Sequence, residues 1–182
     1  MAKALGATMK PIIRRYISEF VYGAVDGTVT TFAVVAASAG AGLSSVVILV
    51  LGIANLIADG FSMGASAYLS AGAENDEHVV TSKKASPKII GFATFAAFVV
   101  VGAMPILPYC LDVATGQNTP LSVLFLQSII LTAVTFLLIG YTKGRIGQGR
   151  IISSMVSTLS LGATAAALAY FAGDVLSHLL GV

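Results

Sequence analysis

Five stretches of this chain are apolar over the length needed to cross a bilayer. A spanning helix needs roughly 20 mostly apolar residues. Such runs extend from about Phe20 to Gly40, Ser45 to Leu69, Ile89 to Leu111, Leu121 to Tyr141 and Ile151 to Leu176. Little is left over to make a soluble surface. Charged residues are 10% of the 182 and hydrophobic ones 57%, whereas an ordinary soluble domain is about 25% charged. With a mean hydropathy of +0.93, a soluble monomer is excluded, and so is disorder, which needs high polarity. The fold class expected is an all-α membrane protein of five transmembrane helices. The single cysteine, Cys110, rules out an internal disulfide framework or a cysteine-rich metal cluster.

The basic residues orient the spans. Lys3, Lys10, Arg14 and Arg15 precede the first run. Lys83, Lys84 and Lys88 lie between the second and third, and Lys143, Arg145 and Arg150 between the fourth and fifth. These are all ten Lys and Arg. The turn near Gly42–Ser44, the loop Asp112–Pro120 and the C-terminus hold none. The positive-inside rule then puts the N-terminus in the cytosol and the C-terminus outside. A wrong span count would scatter the charges.

Residues 1–19 read as an interfacial amphipathic helix. Ile12, Ile13, Tyr16, Ile17 and Phe20 share one face, and Lys10, Arg14, Arg15 and Ser18 the other. Ala37-Ser38-Ala39 loosely resembles a signal-peptide cleavage site, but the run before it is too long and is interrupted by Asp26, so no cleavage is expected. Residues 70–87 form a short cytosolic linker, and 1–182 is read as one transmembrane domain. Pro105 and Pro108 predict a kink or an end in the third span, with Cys110 a buried apolar residue beyond it.

Ionisable residues inside a bilayer are expensive and mark function. Asp26 lies about two turns into the first span, and Glu19 sits seven residues earlier on the same face, at the cytosolic mouth. Two carboxylates in line make a path for a cation. The competing reading is a packing contact, with Asp26 satisfied by Thr28, Thr30 or Thr31. In the second span Asn55, Asp59 and Met63 recur every four residues and form one stripe, with Met63 expected at roughly the depth of Asp26. Oxygen ligands beside a thioether suit a first-row transition ion better than Mg²⁺ or Ca²⁺. Fe²⁺ and Mn²⁺ both fit. Asp174 and His178 read as interfacial, near the outer end of the last span.

Small residues surround these groups: Gly23, Ala24 and Gly27 in the first span, and Gly60, Gly64, Ala65 and Ala67 in the second. They let helices approach closely. The expectation is two tightly packed helices with their polar stripes facing each other. Five helices enclose a path poorly, and a homodimer with the path between protomers would double the ligands. A scaffold that moves nothing would not need Asp26 and Asp59. An enzyme is disfavoured, since His78 falls in a cytosolic loop and His178 at the outer edge, leaving no histidine base at membrane depth.

Four stretches, in this order, resemble the vacuolar iron transporter family. They are Glu19-Phe-Val-Tyr-Gly-Ala-Val-Asp-Gly-Thr28, Ala58-Asp-Gly-Phe-Ser-Met-Gly64, Gly102-Ala-Met-Pro-Ile-Leu-Pro-Tyr109 and Gly140-Tyr-Thr-Lys-Gly-Arg145. The likeness runs from about Arg14 to the C-terminus. It implies a five-span homodimer that exports Fe²⁺, in some cases Mn²⁺, from the cytosol by proton antiport along the dimer interface. It implies Asp26 as the pathway aspartate, Met63 as the pathway methionine and Glu19 as the entrance glutamate. The metal and H⁺ are then cargo, with no permanently bound cofactor, and no nucleic acid is a partner. Two facing Asp26 carboxylates would repel, so one should hold a proton that the arriving metal displaces, with Asp59 as a second proton carrier. The chain departs from the family in two places. Asn55 stands where many members have a glutamate. The long glutamate-rich insert of plant-type members is reduced to a linker holding Glu74, Asp76, Glu77 and His78. Such short chains resemble the bacterial or archaeal branch, which implies a prokaryotic cell membrane.

Overall fold

The computed structural model describes residues 2–77, 85–146 and 150–181, with side chains over 14–74, 85–145 and 150–181. The side chains of Lys10, Ile12, Ile13, Asp76 and Glu77, and residues His78, Lys83 and Lys84, lie outside the described residues. The described chain is helical: α1 (Ala2–Gly40), α2 (Ser45–Glu77), α3 (Pro87–Gly102), a 3₁₀ turn (Met104–Ile106), α4 (Leu107–Thr115), α5 (Leu121–Ile146) and α6 (Ile151–Leu180). Five segments are long and apolar enough to span, and α3, the 3₁₀ turn and α4 together make the third. Phe61, Phe92, Leu138 and Leu168 are each more than 60% exposed. A soluble protein would hide such side chains, whereas lipid covers them at no penalty. The chain is an integral membrane protein.

Helix α1 is the hub and packs against α2, α3, α5 and α6. Two longer cores run along it. One gathers Phe32, Val35, Ile48, Leu56, Phe98 and Tyr109. The other gathers Ala24, Ala97, Phe136 and Ile139. Helices α1 and α2 form an antiparallel hairpin, closed by Gly42 at φ 69°, a left-handed conformation that glycine adopts without a Cβ clash. The Tyr16 hydroxyl accepts the Ser86 backbone N–H at 2.8 Å and fixes the start of α3 beside α1.

One boundary differs from the sequence expectation, and the break expected at Pro105 and Pro108 is found. Helix α2 continues to Glu77, so residues 70–77 are helix rather than linker. Ala71 explains the extension, because it is buried with Ala85 and Ile90 against Tyr16. The third span breaks where its prolines fall. Pro105 has no N–H to donate, its carbonyl accepts the buried Ser128 hydroxyl of α5 at 2.6 Å, and the helix restarts at Leu107. Cys110 packs, partly buried, against the first core.

Candidate functional site

Between α1 and α2 lies a cavity of about 500 Å³. Helix α1 contributes Arg15, Glu19, Tyr22 and Asp26, and α2 contributes Asp59, Ser62, Met63, Ser66, Ala67, Ser70, Ala71 and Glu74. Both sets follow helical periodicity, each forming one stripe along its helix. Glu19, Asp26, Asp59 and Met63 therefore share one space. Asn55 does not line it. Its amide donates to the Thr31 hydroxyl at 3.4 Å and ties the helices together at the end of the cavity nearer the α1–α2 turn.

That tie fixes the relative depth of the groups. Asp59 and Met63 lie four and eight residues beyond Asn55, and Asp26 five residues before Thr31, all on the side away from the α1–α2 turn. At about 1.5 Å per residue, Asp26 and Asp59 are within about 2 Å in depth, while Met63 is about 4–5 Å farther from that turn. Asp59, rather than Met63 as the sequence suggested, is level with Asp26. Both carboxylates border the same cavity.

The threonines do not satisfy Asp26. Thr28 donates to the carbonyl of Ala24 at 2.7 Å, Thr30 to the main-chain carbonyl of Asp26 at 2.9 Å, and Thr31 accepts from Asn55. The carboxylate is left facing the cavity, half-buried, and Asp59 opposite is exposed. Among the described residues no three His, Cys, Asp or Glu side chains gather closely enough to hold a metal ion. The carboxylates of this chain line the cavity without closing around an ion.

The four glycines act differently from expectation. They seat α1 and α2 on α3, not on each other. A Cβ on Gly23 would stand 2.5 Å from the Thr94 carbonyl oxygen, and one on Gly27 2.5 Å from that of Phe98. A Cβ on Gly64 would meet Phe95 and the Gly91 carbonyl at 2.8 and 2.9 Å. Helix α3 thus draws both polar helices onto itself, and the stripes stand apart with space between them.

Sequence reasoning missed Tyr22, the serines Ser62, Ser66 and Ser70, and the Arg15–Glu74 ion pair at 2.6 Å. The serines recur every four residues from Ser62 and could have been read as an extension of the Asp59 stripe. At the far end, His178 and Asp174 approach to 3.7 Å and are largely exposed. A second cavity, of about 410 Å³ between α1, α5 and α6, is lined by apolar side chains with Thr132 and Tyr170, and no carboxylate or basic side chain lines it.

Five spans with a carboxylate-lined cavity inside the first hairpin define a helical membrane protein with a polar path partway across the bilayer. The sequence pattern of the VIT family matches residues 17–84 and 76–174. The chain belongs to that family. The break between the two matched pieces falls at the short α2–α3 connection. The chain is similar to the vacuolar iron transporter of Toxoplasma gondii, at 25% identity over 230 residues, covering 91% of this chain and 76% of that protein. It is also similar to vacuolar iron transporter 1 of Oryza sativa subsp. japonica, at 25% identity over 214 residues, covering 85% and 82%. A shorter match, 34% identical over 68 residues, links it to the vacuolar iron transporter of Plasmodium falciparum, covering 37% of this chain and 25% of that protein. These relatives bear the names of transporters, not enzymes.

Proposed function

We propose that this chain exports Fe²⁺, and accepts Mn²⁺, out of the cytosol in exchange for protons, along the α1–α2 cavity at the interface of two copies. The family membership and the relatives' names support a metal transporter. One observation carries the more detailed reading. Asp59 is exposed on a membrane-spanning helix, level with the half-buried Asp26. A carboxylate at that depth does not face lipid. A second copy placed against this face would shield Asp59 and enclose a water-filled path. It would also double the carboxylates, which one protomer does not gather into a metal-binding group.

In this reading Glu19 draws the ion to the mouth. Asp26 and Met63 hold it after it sheds part of its water, with ligands from both copies. Asp59 faces Asp26 as the second proton carrier. With the ion absent, crowded carboxylates share protons to relieve their repulsion. The arriving metal displaces those protons, which gives the exchange. Asn55 fixes the spacing of the two helices. The short α2–α3 connection supports placement in a prokaryotic cell membrane.

The test is metal flux in proteoliposomes with Fe²⁺ or Mn²⁺ on one side, under imposed pH gradients. The expected result is flux with both ions, driven by the gradient and lost in Asp26→Ala. Flux indifferent to the gradient would defeat the exchange. Flux intact in Asp26→Ala would defeat the path. No flux from folded, dimeric protein would defeat transport itself.

A further inference from the structure

The cavity is tied at both ends. On the outer side the tie is Asn55 to Thr31. On the cytosolic side it is an ion pair, Arg15 Nη2 to Glu74 Oε2 at 2.6 Å, joining residues 59 apart in sequence. Both members line the cavity. They stand at its cytosolic end: Arg15 is about 16 Å along α1 from Asp26, and Glu74 about 22 Å along α2 from Asp59. The pair bridges the two helices that the ion must pass between.

We propose that the Arg15–Glu74 pair is a latch across the cytosolic mouth, and that an arriving divalent cation opens it by taking Glu74 from Arg15. This rests on the transport reading above. Arg15 and Glu74 are positioning residues in it, acting on access to Asp26 and Asp59. The side chains are 34% and 52% exposed, and pairs that wet are weak. A weak pair suits a latch, because it closes the mouth at rest and yields to competition. The competition favours the cargo. A divalent ion brings twice the charge of a guanidinium towards a cavity that also holds Glu19, Asp26 and Asp59. A monovalent ion has no such advantage over Arg15. The freed arginine sits on a long, flexible stem and swings aside without moving either helix.

The test reads the opening directly. Ser66, inside the cavity, is changed to cysteine in a Cys110→Ala background, in vesicles of the full chain. Its labelling is timed with neutral N-ethylmaleimide and with a cationic methanethiosulfonate applied from the cytosolic side. Arg15→Gln is expected to speed both reagents several-fold, Glu74→Gln likewise, and Arg15→Lys to restore slow labelling. A merely structural role would not be rescued by lysine while sparing thermal stability. Unchanged rates overturn the latch. Acceleration of the cationic reagent alone also overturns it, because that is a field effect with no opening. In flux assays the apparent KM for Mn²⁺ should fall several-fold in Arg15→Gln, and an unchanged or raised KM counts against the proposal. If the native chain moves no metal, the transport reading fails, and the labelling rates by themselves still decide whether the pair closes the mouth.

Discussion

Gly27→Ala and Gly72→Ala are the same chemical change in two helix interiors, and they should have opposite effects. At Gly27 the new Cβ would stand 2.5 Å from the Phe98 carbonyl oxygen and 2.9 Å from its Cα, and a Cβ on Gly102 of α3 would likewise stand 2.8 Å from the Gly27 carbonyl. Comfortable contact begins near 3.5 Å, so α1 and α3 must part by roughly 1 Å. Every atom in the way is backbone, and no rotamer relieves it. Overpacking costs about 1–3 kcal/mol, and a rigid backbone neighbour puts this case near 3. Alanine returns about 1 kcal/mol of helix propensity, leaving a net loss near 2. At Gly72 nothing lies within 4 Å, so only the propensity gain of about 0.5–1 kcal/mol remains.

Thermal unfolding of the purified protein in detergent measures the difference. At about 2–4 °C per kcal/mol for a chain of this size, Gly27→Ala should lower Tm by roughly 4–8 °C and Gly72→Ala should raise it slightly. A Gly27→Ala protein as stable as the native one would refute the close seating of α1 on α3. A fall in both variants would show that glycine is needed in these helices for some reason other than contact. Since Asp26 is the neighbour of Gly27, parting α1 from α3 also narrows the cavity from the α1 side. Flux per folded molecule should fall along with Tm.

Two further outcomes follow from particular contacts. Met63→Leu conserves volume, so folding should change by less than about 1.5 kcal/mol, but it removes the sulfur from the residues that line the cavity; if Met63 binds the ion as proposed, the KM for Fe²⁺ should rise more than that for Mn²⁺ in a competition assay, and an equal change in both would reduce Met63 to packing. Ser128→Ala leaves the Pro105 carbonyl without its buried donor, so stability should drop by about 1–3 kcal/mol, read as a lower Tm, and an unchanged Tm would mean that the break in the third span needs no support from α5.

The spans were legible because each carries its own message. Twenty apolar residues specify a crossing wherever they pack, and a proline specifies a break whatever its neighbours are. The polar stripes were legible for the same reason. Glu19 and Asp26 share a face by spacing alone, and so do Asp59 and Met63. What escaped was everything that depends on a second helix. The depth of Met63 relative to Asp26 is set by the hairpin register, which the Asn55–Thr31 contact reports and no single-helix pattern contains. Glu74 looked like linker because its charged neighbours suggest a loop, yet Ala71 buried beneath Tyr16 carries α2 past it.

The small residues show most clearly why pairing is hard to read. Gly23, Gly27, Gly60 and Gly64 announce close approach but not to whom. Had they faced one another, α1 and α2 would pack tightly along their polar stripes, and Asp26 and Asp59 would be pressed together without room for an ion. Facing α3 instead, each polar helix is anchored by its back. The carboxylates are held on rigid elements across a gap whose width α3 determines. A shared wall behind both helices keeps an acidic cavity open inside a bilayer, where charge repulsion and the absence of bulk water would otherwise favour collapse or rearrangement. The glycines thus shape the cavity as much as the carboxylates do, although none of the four is among the residues that line it.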